Sequence, residues 1–253
     1  ALKEKIKVSS QRSFSKEKGL ISRVDRSGSR YLASYAQETL WKFQQINPNS
    51  TAYNVPLLLK IKGSLDVNRF YTAFNSLVLK HESLRTAFNE EEGALYQIVN
   101  EGSFYKFELI DYSNFSKEEI DSKFSEFLEL ELSSPISLEN PPLYKFFIFK
   151  VSKNEHLWLF NIHHIICDGW SLSNLTKEMV AAYNEQNSFG ANKNLESIQY
   201  IDYSIWQRQN VPIENLSNQI TYWKAKLCGL EKNSLPFDYE RSDINNTVGK
   251  FQN

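Results

Sequence analysis

An α/β fold, a mixed β-sheet with helices packed against it, is what this chain predicts, on three observations. Apolar residues switch along the chain between the alternation of strands and the i, i+4, i+7 spacing of helices. Two pairs of strand-like runs are separated by short polar turns, the mark of hairpins. Helix-like segments alternate loosely with these strands, so helices should cover a mixed sheet.

Order begins near Ser34. SYAQETLWKFQQI (34–46) reads as a helix: Ser34 and Gln37 have capping-box spacing, Ala36, Leu40 and Phe43 share a face, and Asn47-Pro48-Asn49 ends it. YNVPLLLKIKG is a strand with Val55, Leu57, Leu59 and Ile61 turned inward, and Pro56 places it at an edge or near the strand's start. Asp66 can cap a second helix carrying Phe70, Phe74, Leu77 and His81 on one side. SLRTAF and ALYQIV flank the acidic turn EEEG as a hairpin, and FYKFELIDY is a further strand. SKEEIDSKFSEFLELEL repeats the capping box with Ser116 and Glu119, and sets Ile120, Phe124, Phe127 and Leu128 on one face. LYKFFIFKVS and EHLWLFNIHH are strands joined by SKNE. SLSNLTKEMVAAYNEQ is a helix with Leu172, Leu175, Met179 and Tyr183 inward. NSFGANKN is a loop, YIDYSIWQRQ and NLSNQITYWKAKLCGL are helices, and LPFDYERSDINNTVGK is irregular. Trp158, Trp206 and Trp223 read as core, and His81 packs at its helix end.

Composition narrows the function classes. At 253 residues, 41% hydrophobic and 23% charged, the chain suits one large or two small globular domains. A formal net charge of −1 argues against a nucleic-acid binder. Residues 1–30 are locally basic, nine Lys or Arg against three acids, and Ser-rich, which reads as a solvated linker. No run of 18 apolar residues suggests a membrane span, and no apolar signal core opens the chain. Two cysteines without metal or disulfide spacing suit a reducing compartment, and cytoplasmic localisation is expected. The single Met is Met179, so the chain reads as a piece of a longer polypeptide.

The chemistry centres on HLWLFNIHHIICDGWSL (156–172), which holds three of the four histidines. On a strand, His156, Trp158, Phe160, Ile162 and His164 point one way and Leu157, Leu159, Asn161 and His163 the other. The adjacent histidines therefore cannot do the same job. A histidine at a strand's end, before a glycine and a helix start, is placed to meet a substrate and to accept a proton at cellular pH. A metal site of two histidines and Asp168 is opposed by the opposite faces, and a serine triad lacks a nucleophile elbow. Two buried histidines satisfied by backbone partners remain an equal alternative on spacing alone. Cys167 reads as a small buried filler.

HHIICDGWS resembles the HHxxxDG signature of condensation domains from nonribosomal peptide synthetases, relatives of chloramphenicol acetyltransferase. Other motifs of that family follow in order. SYAQETLWKF is similar to SxAQxRLWxL, with Glu38-Thr39 at the variable and Arg positions. KHESLRTAF resembles RHExLRTxF with Lys80 for the first Arg, PISLENPPLYKF resembles PFDLxxxPLxR with Lys145 for Arg, and YIDYSIWQRQ matches YxDYxxWQ. Together they cover roughly residues 30–240.

The resemblance implies a chloramphenicol acetyltransferase-like lobe, one half of a two-lobed pseudodimer with the active site in a tunnel between halves. Residues 1–29 would be linker, 30–190 the N-terminal lobe, and 191–253 crossover helices with the start of a truncated second lobe. An isolated chain of this kind would lack half its tunnel, which puts its activity alone in doubt. By the same carry-over His164 faces the tunnel as the catalytic group, as base or as a group that orients substrate. His163 holds the strand, Asp168 forms a structural ion pair with Arg85, Gly169 lets substrate approach the backbone, and Trp170 and Ser171 shape the mouth and the helix start. The implied reaction joins a donor acyl or peptidyl thioester to the α-amine of an acceptor aminoacyl thioester. Both ride on phosphopantetheine arms of peptidyl carrier domains, beside an adenylation domain; no cofactor or metal is bound directly, and neither nucleic acid nor membrane is a partner. Epimerisation domains read HHxxxDGVSW-like where this chain has Trp170-Ser171, and heterocyclisation domains replace the histidines by aspartates. A coenzyme A-dependent acyltransferase of the superfamily and a non-catalytic carrier-docking platform are the other readings.

Overall fold

A computed structural model describes residues 20–28, 30–101, 107–185, 197–211 and 216–230. Most of the expected linker, the first residues of FYKFELIDY, the loop NSFGANKN and the run LPFDYERSDINNTVGK lie outside the described residues.

A short strand, β1 (Tyr31–Leu32), leads into α1 (Tyr35–Ile46). Both bonds of the expected capping box form: the Gln37 N–H donates to Ser34 Oγ, and the Ser34 N–H donates to Gln37 Oε1. β2 (Asn54–Lys62) is an edge strand, where a residue without an N–H such as Pro56 is tolerated. Asp66 caps α2 (Val67–Lys80) by accepting the Arg69 N–H. A 3₁₀ turn at Glu82–Arg85 then takes the first residues of the expected SLRTAF strand, and β3 runs only over Thr86–Glu91. The turn is closed by the Leu84 N–H on the His81 carbonyl, and the Arg85 guanidinium donates back to the Val78 carbonyl near the end of α2 and to the Asn100 carbonyl. β4 (Ala94–Val99) returns after Glu92 and Gly93, both at positive φ (52° and 78°), the backbone a two-residue hairpin turn needs.

β5 (Glu108–Asp111) precedes α3 (Lys117–Leu132), whose Ser116–Glu119 capping box also forms. The hairpin β6 (Tyr144–Ser152) and β7 (Glu155–His163) is followed by α4 (Gly169–Asn184), α5 (Tyr200–Asn210) and α6 (Ser217–Leu227). The strands form a three-stranded sheet, β1-β4-β3, and a four-stranded sheet, β2-β7-β6-β5. The second is mixed as expected, antiparallel except for the parallel pair β5–β6.

One face of the four-stranded sheet presents Phe146, Trp158 and Phe160 to Phe70 and Phe74 of α2 and to Leu172, Leu175 and Met179 of α4. The Phe74 and Phe146 rings approach to 4.1 Å between centroids. On the other face Phe124 and Phe127 of α3 meet Phe147 and Phe149 edge-on. Each ring removed from water this way contributes about 1.5–3 kcal/mol, so β6 and β7, held from both sides, are the rigid centre on which the site stands.

The described residues up to Val211 group into one compact unit. Within it α5 is bonded to the earlier elements: Arg208 donates to the Ala33 carbonyl and to Glu38, and Ser204 Oγ accepts from Gln97. The arm before β1 is bonded too. The Arg26 guanidinium takes both Glu82 oxygens and Asp202 Oδ1, and Asp202 also accepts the Val24 N–H. In the second unit, described over residues 216–230, α6 exposes Ile220, Tyr222 and Leu227, and Trp223, expected in the core, is 56% exposed.

Candidate active site

β7 runs beside β2 as far as His163, opposite Asn54. One residue on, the His164 N–H donates to the Tyr53 carbonyl at 2.8 Å, which extends the pairing past the strand's formal end. The chain then folds into a turn, closed by the Ile166 N–H on the His163 carbonyl, and Asp168 opens α4. Asp168 Oδ1 accepts both the Ser171 N–H (2.8 Å) and the Ser171 hydroxyl (2.6 Å). Those two bonds hold the Asp168 carboxyl below the usual carboxylate range, and they make it an N-cap.

The two histidines part as the pleat requires. His163 is 1% exposed. Its Nδ1 accepts the Ile165 N–H at 3.1 Å, so the ring proton sits on Nε2, which has no partner among the described residues. Burial, reinforced by His164 nearby, pushes the His163 pKa down to about 4, so it is neutral in cells. His164 is exposed, edge-on to Tyr53 at 6.4 Å between centroids, and its ring nitrogens have no hydrogen-bond partner among the described residues. One imidazole is built into the turn; the other is available.

His164 opens on a cleft of about 550 Å³. Ala36 and Leu40 of α1, Tyr53 and Ile165 supply apolar wall; Gln37, Thr86, Gln97, Asp168, Ser171 and Tyr200 supply polar wall. The Tyr200 hydroxyl and Ser34 Oγ share a hydrogen bond at 2.9 Å, so the first residue of α5 is tied to the cap of α1. The volume is that of a small-molecule site, and although many of its lining residues are polar, most of the wall surface is apolar.

Several expectations are revised. Arg85 and Asp168 do not form an ion pair: Arg85 is spent on the Val78 and Asn100 carbonyls, and Asp168 on Ser171. Arg85 thus ties its turn to α2, and Asp168 is held from its own helix. Trp170 is 80% exposed and lies outside the cleft lining, whereas Ser171 is in it. A Cβ on Gly169 would meet nothing within 4 Å, so no contact inside the lobe requires glycine at the head of α4. Cys167 is buried, and desolvation with the Asp168 charge pushes its thiol up to about 12, which leaves it protonated and a filler as expected. His81 bonds Glu178 through Nε2 at the end of α2, also as expected.

Sequence reasoning missed the Arg26–Glu82–Asp202 cluster and the buried amide pair Gln37–Gln97. Asp202 is fully buried. Desolvation opposes its charge, yet Arg26 and the Gln199 and Val24 N–H groups hold its carboxyl below the usual range. Burial also opposes the Arg26 charge, and Asp202 and Glu82 outweigh it. The available signal was an acid inside each of two segments expected to pack, Glu82 in KHESLRTAF and Asp202 in YIDYSIWQRQ, which together demand a cation.

The mixed sheet whose central hairpin delivers an open imidazole to the head of a capped helix has a chloramphenicol acetyltransferase-like fold, which it shares with solved condensation domains. Within that class the chain belongs to the condensation-domain family, since residues 28–252 match the family described as Condensation domain. It is 35% identical over 213 residues to one of the linear gramicidin synthase proteins of Brevibacillus parabrevis, a match that covers 83% of the chain and 4% of that protein. To bacitracin synthase 3 of Bacillus licheniformis it is 32% identical over 220 residues, 87% of the chain and 3% of the relative. Among solved structures, the X-domain from teicoplanin biosynthesis superposes with a TM-score of 0.72 at 22% identity, over 88% of this chain and 49% of that one. The chain thus spans about half the length of this solved relative and a few per cent of the synthases. Among the described residues no helix is long and apolar enough to cross a membrane.

Proposed function

We propose that this chain is the first lobe of an amide-forming condensation domain, with residues 30–190 as the lobe and 191–253 as crossover helices and the start of a second lobe. The observation that carries the reading is the open His164 ring on the cleft, unpartnered among the described residues and set beside a sealed and neutral His163. The α-amine nitrogen of the acceptor attacks the thioester carbonyl carbon of the donor, a C–N bond forms, and the C–S bond breaks. His164 takes the proton the amine sheds and returns it to the departing thiolate, for about 10²–10⁴-fold of the rate. Thioesters are already activated, so holding the two substrates in line supplies most of the remainder. The substrates arrive as pantetheinyl thioesters on carrier domains, and the chemistry supplied by that arm belongs to the partners. Asp168 and Ser171 keep the head of α4 fixed beside the imidazole.

The test is reconstitution of the lobe together with its second half and two loaded carrier domains, followed by intact-protein mass spectrometry of the acceptor carrier. A gain equal to the donor acyl group, lost in His164→Ala, supports the reading. Carrier binding with no transfer would make the chain a docking platform instead.

A further inference from the structure

The turn that aims His164 is held from below by two buried glutamines. Gln37 Oε1 accepts the Ser34 N–H at 2.9 Å, so the other end of its amide, Nε2, must point away from that backbone. Nε2 has two protons and two acceptors: Gln97 Oε1 at 2.9 Å and the Ile165 carbonyl at 3.4 Å. Because Gln97 Oε1 is taken as acceptor, the Gln97 Nε2 faces the opposite way, to Ser204 Oγ at 2.9 Å and the Leu32 carbonyl at 3.3 Å. Both side chains are 2% exposed, and all four amide protons and both amide oxygens are used. One backbone N–H at the cap of α1 therefore sets the direction of the whole relay, and neither amide can flip without orphaning a buried group.

The relay ends on the residue next to His164. The Ile165 carbonyl accepts from Gln37 Nε2, while the Ile165 N–H donates to His163 Nδ1. That residue is gripped at both its peptide groups, and no described residue bonds the ring of its neighbour His164 to steer it. The same relay reaches α5 through Ser204, one turn from Tyr200 on the cleft wall. We infer that Gln37 and Gln97 are positioning residues for the reaction: they fix the angle at which the His163–Asp168 turn presents the His164 imidazole, and they set that angle by the docking of α5. This rests on the proposed role of His164.

The test compares Gln37→Ala, Gln97→Leu and His164→Ala with Phe127→Leu, a packing variant on the α3 side of the sheet, in the two-lobed domain with both loaded carriers. Displacing a reacting group by about 1 Å costs on the order of 10²-fold. Gln37→Ala should lower the single-turnover rate by about that factor, with the KM for each carrier unchanged, while Phe127→Leu loses melting temperature without losing rate. Gln37→Glu, which keeps an acceptor for Ser34 but loses the donor to Ile165, should be as slow as Gln37→Ala. A second readout needs no substrate: in ¹³C-labelled histidine spectra of this chain, Gln37→Ala should split or broaden the His164 ring signal, and Phe127→Leu should not. Full rate with an unchanged His164 signal in Gln37→Ala would overturn the inference. Full rate in His164→Ala would instead overturn the proposed function, and the spectra would still decide whether the amides hold the turn.

Discussion

The two sides of the turn after β7 are built from the same residue type to opposite ends. On the sealed side, His163 is buried, gives Nδ1 to the Ile165 N–H, and is kept neutral by desolvation. On the open side, His164 spends only its backbone on the fold, through the Tyr53 carbonyl, and leaves its ring to the cleft. A side chain consumed by structure cannot also change partners during a reaction, so the fold needs a second imidazole if one is to be free. The same division recurs away from the turn. Charge that is sealed, such as Asp202, is fully paired; charge that is open, such as Asp168, is held by short bonds within its own helix.

The comparison makes graded predictions. His164→Ala should have the largest effect on chemistry, a 10²–10⁴-fold loss, about 3–5 kcal/mol of barrier, in amide formation. Its urea midpoint should match the parent, because the ring makes no bond to the described fold. Arg26→Ala should act oppositely. Asp202 would be left charged and buried, at a cost of about 3–5 kcal/mol in a urea melt, with Asp202→Asn costing less.

The pH dependence of stability sharpens the sealed side. Unfolded, His163 titrates near 6.5; folded, its pKa is about 4. The unfolded chain therefore binds the extra proton first. The His163 contribution is intact above pH 6.5 and falls as pH drops toward 4, by about 3 kcal/mol. His163→Gln, whose Oε1 can still accept the Ile165 N–H, should flatten that window in denaturant titrations. The smallest effect is expected at Asp168→Ala, about 1 kcal/mol for the lost cap. That contribution should fade as pH falls below 3.8, since the folded carboxyl is held lower than the free one.

Much of this was legible in the sequence, and the reason differs by element. The capping boxes at Ser34 and Ser116 and the hairpin at Glu92-Gly93 are local, so residue type and spacing suffice. That His163 and His164 face opposite ways follows from the two-residue pleat, whereas which of them is open was implied only by the family resemblance. Arg85 shows where that kind of reading stops. Its partner depends on how α2, the 3₁₀ turn and β4 close on one another, and backbone carbonyls leave no mark in a sequence. Gln37 was visible as a cap residue, but its other amide end meets Gln97 across the fold, a pairing no periodicity reports.

The most direct check is acylation of the folded two-lobed domain with diethyl pyrocarbonate, read residue by residue from fragment masses and followed in parallel by the rate of amide formation between loaded carriers. Modification should appear at His164, with His163 protected until the protein unfolds, and activity should fall in step with the His164 adduct. Equal labelling of both rings in the native state, or full activity with His164 acylated, would contradict the account.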